Sequence, residues 1–114
     1  MDTKQINDNL IYKGFIEKRL DTGFNYTKQV NHNIELICYV EPNISVSFIT
    51  VYKWNDNEIK GYYDITVKEL EGLGPDLDVL FKKAVKDMPK YLGDKKTGLR
   101  IHPAMEAAID EAFH

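Results

Sequence analysis

"IELICYVEPNISVSFITVYKW", Ile34 to Trp54, is the stretch whose reading decides the fold. Ile34, Leu36, Cys38 and Val40 alternate with Glu35, Ile37, Tyr39 and Glu41. After "EPN", Ile44, Val46, Phe48, Thr50, Tyr52 and Trp54 alternate with Ser45, Ser47, Ile49, Val51 and Lys53. A strand sends successive side chains to opposite faces, so a period of two with β-branched and aromatic residues predicts two strands. A connection this short makes them antiparallel, because a parallel crossover needs a dozen or more residues. The apolar set is even-numbered in both strands. Directly opposed residues share a face, so the connecting loop must hold an odd number of residues.

The same pattern extends outward in both directions. Upstream, Phe24, Tyr26 and Val30 alternate with Asn25, Thr27 and Gln29. Downstream, Ile59, Gly61, Tyr63, Ile65 and Val67 alternate with Lys60, Tyr62, Asp64, Thr66 and Lys68. Here the apolar set is odd-numbered, so the loop after Trp54 must be even, and Asn55 to Glu58 is the expected one. Residues 24–68 thus predict a four-stranded antiparallel meander.

Helical spacing appears on either side of the meander. Ile6, Leu10, Ile11, Tyr12, Phe15, Ile16 and Leu20 spread over a wide arc, which predicts a helix over 8–20. Asp8 or Asn7 would cap its start, Lys18 and Arg19 would suit its last turn, and Gly23 would stop it. A strand through Tyr12, Gly14 and Ile16 is the competing reading. After Lys68 the period switches. Leu77, Leu80, Phe81, Ala84, Val85 and Met88 form an apolar stripe, and a helix is expected over 75–91. In "GLGPDLDVL", Gly72 and Gly74 turn the chain and Pro75 suits a first helical position. Asp76 and Asp78 meet the positive end of the helix dipole there. The stretch lacks the lysine and Ser/Thr of a phosphate loop. Residues 93–101 read as a flexible linker, and Pro103 opens a short helix over 103–113. The expected whole is a single α+β domain over 1–114: the meander, with the 77–88 helix packed on its even-Ile34, odd-Ile59 face.

That leaves a mixed second face. Ile37, Tyr39, Ile49, Val51 and Tyr62 would gather there, more large apolar groups than a solvated face carries. The N-terminal helix, the terminal helix or another protein chain would cover them, with the chain's own helices as the first expectation.

Composition narrows the function classes. The chain is 43% hydrophobic and 29% charged, an ordinary balance for a globular protein. No apolar run spans a bilayer and no secretory signal is read at the N-terminus, so a cytoplasmic location is expected. A lone cysteine makes no internal disulfide. Net charge is −3, so the chain carries no overall basic field for nucleic acid. A local basic segment does exist: Lys82, Lys83, Lys86, Lys90, Lys95, Lys96 and Arg100 stand against Asp87 and Asp94 alone.

Catalytic chemistry finds little support. His32 belongs to the "NHN" turn, and on one strand Cys38 would lie about 20 Å from it, at 3.3 Å per residue. Cys38 reads as a small core hydrophobe. His102, Glu106, Asp110 and His114 recur every four residues, but steps of four drift about 40° each around a helix, so they do not converge on one ion. No metal, cofactor or catalytic set is assigned, and the chain is expected not to be an enzyme.

The sequence therefore points to a small non-catalytic protein-binding module of inhibitor, immunity or adaptor type. The Asn/Lys/Ile/Tyr-rich composition and small size suit a phage or mobile element. Ile37, Tyr39, Ile49, Val51 and Tyr62 would form the binding face, with Trp54 and the Asn55–Glu58 turn at its rim, and another protein or a second copy as partner. Nucleic-acid binding through Lys82, Lys83, Lys86, Lys95, Lys96 and Arg100 is the second reading. A small metal-dependent enzyme using His102, Glu106 and Asp110 is the third.

Overall fold

The computed structural model describes residues 3–42, 44–54, 57–66, 69, 77–86 and 103–113. Its elements are α1 (Thr3–Tyr12), β1 (Ile16–Arg19), β2 (Phe24–Gln29), β3 (Ile34–Glu41), β4 (Ser45–Trp54), β5 (Asn57–Thr66), α2 (Leu77–Lys86) and α3 (Pro103–Phe113). The strands form one antiparallel sheet in the order β1-β2-β3-β4-β5. The α+β class and the meander are as expected, but there are five strands rather than four.

The extra strand comes from the N-terminal segment. The helix expected over 8–20 runs instead over Thr3–Tyr12, and Ile16–Arg19 is β1. The reason is a C-terminal stop at Gly14, whose φ is 90°. Gly14 N–H donates to Ile11 O and Phe15 N–H donates to Leu10 O. These are the two bonds of a Schellman motif, in which glycine takes the left-handed position. Leu10 and Phe15, the positions whose apolar contact accompanies the motif, are both buried in the core cluster. Asn7 and Asp8 thus lie inside the helix, and Lys18 and Arg19 lie in a strand. Gly23 serves the β1–β2 turn, where an added Cβ would strike the Val40 carbonyl.

The parity arguments hold. Glu41 opposes Ser45, so the β3–β4 loop is the odd-length Pro42–Ile44. Trp54 opposes Asn57, so the β4–β5 loop is even, but shorter than expected, and Asn57 and Glu58 belong to β5. Parity settles which face a residue joins. It leaves the register free to move in steps of two, and the ladder here runs on toward the turn.

One face of the sheet carries the core. Tyr26, Leu36, Cys38, Val46, Phe48 and Ile65 are buried in one cluster with Ile6 and Leu10 of α1, Leu77, Leu80, Phe81, Ala84 and Val85 of α2, and Ile109 and Ala112 of α3. Phe81 is 0% exposed. Its ring meets Phe48 edge-on at 5.2 Å, Phe113 at 5.5 Å and Phe15 at 6.0 Å between centroids. Such pairs contribute about 0.5–1.5 kcal/mol each beyond area burial. Polar contacts then fix the end of α3. Lys13 Nζ donates to Phe113 O at 2.8 Å, and Lys28 Nζ donates to Ala112 O at 3.2 Å and Lys13 O at 2.7 Å. Two cations thus satisfy carbonyls at a helix C-terminus, where the dipole favours positive charge.

Asp78 lies in the first turn of α2 as expected, while the turn over 70–76 falls outside the described residues. The linker expected over 93–101 falls outside them too. Among the described residues, no helix is long and apolar enough to cross a membrane.

Two substitutions test this core by urea denaturation. Phe81→Ala is expected to lose about 3–5 kcal/mol, since it removes the ring that α2 and α3 share with β4. Thr50→Val is expected to gain about 1 kcal/mol. The Thr50 hydroxyl is fully buried on the core face with no hydrogen-bond partner among the described residues, and an unpaired buried hydroxyl costs about 1–3 kcal/mol.

Candidate functional site

The outer face of the sheet is read from the register. Ile16 opposes Thr27, Thr27 opposes Ile37, Ile37 opposes Ile49, and Ile49 opposes Tyr62. One nearly apolar row therefore crosses all five strands. Ile16 is 71% exposed and Tyr62 48%, while Ile37 and Ile49 are half-buried between them. Ile6 and Leu10 of α1, Leu77, Leu80, Phe81, Ala84 and Val85 of α2, and Ile109 and Ala112 of α3 are buried in the cluster on the opposite face. The expectation that one of these helices covers the outer face is thus corrected. The buried apolar residues described in each helix pack on the face that carries Leu36, Phe48 and Ile65.

Polar rows flank the apolar one. On one side Lys18, Asn25, Tyr39, Ser47 and Asp64 are aligned. Tyr39 is held there by a 2.7 Å hydrogen bond between its hydroxyl and that of Thr22. On the other side Gln29, Glu35, Val51 and Lys60 are aligned. Val51 is only 3% exposed and lies outside the main core cluster. Its cross-strand neighbours are Glu35 and Lys60, long side chains whose stems can cover apolar surface. Lys60 pairs with Glu58 at 3.1 Å, and that hydrogen bond raises the lysine pKa above its usual value.

The structure thus brings together Ile37, Ile49 and Tyr62, with Tyr39 and Val51 in the adjoining rows. The side chain of Trp54 lies outside the described ones. Trp54 closes the β4–β5 ladder opposite Asn57, at a register position of the set that includes Phe48 and Tyr52. Of the expected rim, Asn55 and Asp56 lie outside the described residues. Ile16 and Thr27 are additions to the row. Ile16 escaped sequence reasoning because its segment was assigned to a helix, although the competing strand through Gly14 and Ile16 carried the signal.

In the second patch, two of the described lysines have partners within the fold. Lys82 bridges Asp110 at 3.0 Å and Asp78 at 3.3 Å, tying α3 to α2. Its ammonium pKa is raised by the Asp110 hydrogen bond first, and by the one to Asp78. Lys83 Nζ lies 5.4 Å from the centre of the Tyr63 ring. Lys86 is exposed, and Lys95, Lys96 and Arg100 fall outside the described residues. For the metal reading, Asp110 already faces the Lys82 ammonium. His102 and His114 fall outside the described residues, and so does the side chain of Glu106. Among the described residues no group of three or more His, Cys, Asp or Glu could hold a metal ion.

Hollows lined by described residues include the following two. An open one of about 650 Å³ is lined by Gln29, Asn31, His32 and Lys53. A smaller one of about 140 Å³ lies among Lys4, Asn7, Phe24, Tyr26, Val40 and Pro42. Neither joins a nucleophile to a base. His32 is exposed in the β2–β3 turn, where Asn31 Oδ1 accepts from Asn33 and Ile34 N–H. Cys38 is buried on the core face opposite Tyr26 and Phe48. Burial pushes the Cys38 thiol pKa up, and burial, then the Glu17 carboxylate, pushes Tyr26 up to about 12. Comparison with known protein families, with curated proteins and with solved structures finds no match.

These shifts predict a chemical behaviour. Cys38 is expected to resist a thiol reagent at neutral pH in the native state and to react once denaturant unfolds the chain. Tyr26 has a folded-state pKa above its usual 10.0, so its contribution to stability is complete below pH 10. That contribution is lost as pH rises toward about 12. Ultraviolet titration of phenolate absorbance checks this, with one tyrosine ionising late or together with unfolding.

Proposed function

We propose that this chain is a non-catalytic binding module that engages another protein through the outer face of its sheet, in the manner of an inhibitor, immunity protein or adaptor. The observation that carries this reading is the row Ile16–Thr27–Ile37–Ile49–Tyr62, left uncovered by the helices and bordered by polar rows. An apolar strip rimmed by polar groups has the make-up of a protein interface, in which a few large side chains contribute most of the affinity. Tyr62 and Tyr39 are the aromatic anchors, and Ile16 extends the strip to the far edge. A sheet face suits recognition better than catalysis where, as among the described residues, no enclosed chamber is formed on it. The basic-patch reading ranks second, because Lys82 and Lys83 are engaged within the fold.

The test is the double variant Ile16→Ser, Tyr39→Ser. Neither residue belongs to the main core, so circular dichroism and the melting temperature should change little. Specific capture of a partner from the native host's extract should fall about tenfold or more, the effect of losing one hot-spot side chain. Undiminished capture by the folded variant overturns the reading.

A further inference from the structure

The two edges of the sheet are built differently. β1 is short, Ile16–Arg19, exposed throughout and mostly charged. Such an edge is guarded against pairing with another chain. β5 is long, Asn57–Thr66, and lacks proline. It stands last in the strand order, and among the described residues no strand pairs with its outer side. Its outer-face residues are Glu58, Lys60, Tyr62, Asp64 and Thr66, as the register with β4 shows. A long edge without proline offers backbone N–H and C=O groups to an added strand, and its charges select which strand can pair.

The charges along β5 decide what that strand is. Two copies of β5 related by a two-fold axis pair antiparallel, and the residue on the axis sets the register. Only axes at Gly61 and Tyr62 pair nearly the whole strand. The axis at Gly61 sets Glu58 opposite the second copy's Asp64, acid against acid. The axis at Tyr62 pairs Glu58–Thr66 with the same segment of the second copy. It sets Lys60 opposite Asp64 twice, once on each side of the axis, and Tyr62 opposite Tyr62 at the centre. Axes at Lys60 or Asp64 place like charges on themselves. Opposite charges directly across a ladder stabilise it and like charges destabilise it. The Tyr62 axis also continues the outer apolar row, since Ile37, Ile49 and Tyr62 of one copy run straight into Tyr62, Ile49 and Ile37 of the other. The Lys60–Glu58 pair within the strand is no obstacle. Both groups are well exposed, and exposed ion pairs exchange partners at little cost.

We propose that β5 is a homodimerisation edge: two copies of the chain join their sheets about a two-fold axis at Tyr62, held by reciprocal Lys60–Asp64 pairs. This rests on the reading of the outer face as a binding surface and names a second copy as the partner at its β5 end. The joined sheet carries one apolar row from the Ile16 of one copy to the Ile16 of the other, so the dimer presents a doubled face to any further partner.

The experiment is sedimentation equilibrium on the full chain and on charge-reversed forms, with circular dichroism as a control for folding. The unmodified chain is expected at twice the chain mass. K60D places acid against acid and D64K places base against base, so each should raise the dimer dissociation constant about tenfold or more. The double variant K60D/D64K restores opposite charges and should recover the dimer. An equimolar mixture of the two single variants should form a heterodimer, because the two acids of one chain then face the two bases of the other across the axis. A single-chain mass at the highest soluble concentration overturns the proposal. So does a dimer indifferent to single reversal, or one that neither the double variant nor the mixture restores. The two readings fail separately. If the chain is monomeric while Ile16→Ser, Tyr39→Ser still abolishes capture, the edge proposal falls and the face reading stands. If charge reversal behaves as expected while capture is undiminished by those serines, the face reading falls alone.

Discussion

The packing of Phe81 is the contact on which the rest of the molecule depends. Its ring lies edge-on to Phe48 in the middle of β4 and contacts Phe15 and Phe113 from the segments beside it. A ring at the centre of one face draws α2 onto that face, and Phe113 brings the end of α3 with it. Phe15 brings α1, because the Schellman stop at Gly14 places the ring directly after the helix. The buried residues described in all three helices pack on this side of the sheet, and Ile16 and Tyr62 on the other side stay exposed.

Electrostatics reinforces that arrangement and limits the alternatives. Lys13 and Lys28 cap the carbonyls at the end of α3, and Lys82 links α3 to α2 through Asp110. These cations hold helices together, and Lys82 is the one that comes from the segment that looks basic in sequence. The outer face keeps its charges in rows beside an apolar strip, so a partner meets an oily line with polar borders. At β5 those borders bring Lys60 and Asp64 into positions that are self-complementary about Tyr62.

Much of this was legible in the residues. The alternation from Ile34 to Trp54 named both faces correctly, and parity required an odd loop at Pro42–Ile44 and an even one after Trp54. The stripe of Leu77, Leu80, Phe81, Ala84 and Val85 announced a helix and the side it buries. The candidate face followed from the odd positions Ile37, Tyr39, Ile49 and Val51 together with Tyr62. What went astray was the segment Ile11–Leu20, where apolar residues are dense enough to satisfy a period of 3.6 and a period of two at once. The sequence "YKGF" held the correction, since a glycine followed by an aromatic residue is a helix stop whose next side chain packs back on the last turn.

By itself, then, the sequence determined what is local and periodic: which segments are strands, which residues share a face, and the parity of each turn. These follow from bond geometry, which repeats along the chain and needs no distant partner. Only the tertiary structure decided which face the helices share, that β1 completes a five-stranded sheet, and that Ile16 joins Tyr62 in one row across it. Those outcomes depend on contacts between residues far apart in the chain. Among them are Phe15 with Phe81 and Lys28 with Ala112. Burying an apolar stripe is favourable against any apolar surface, so only the competition among all surfaces at once selects the face that stays open.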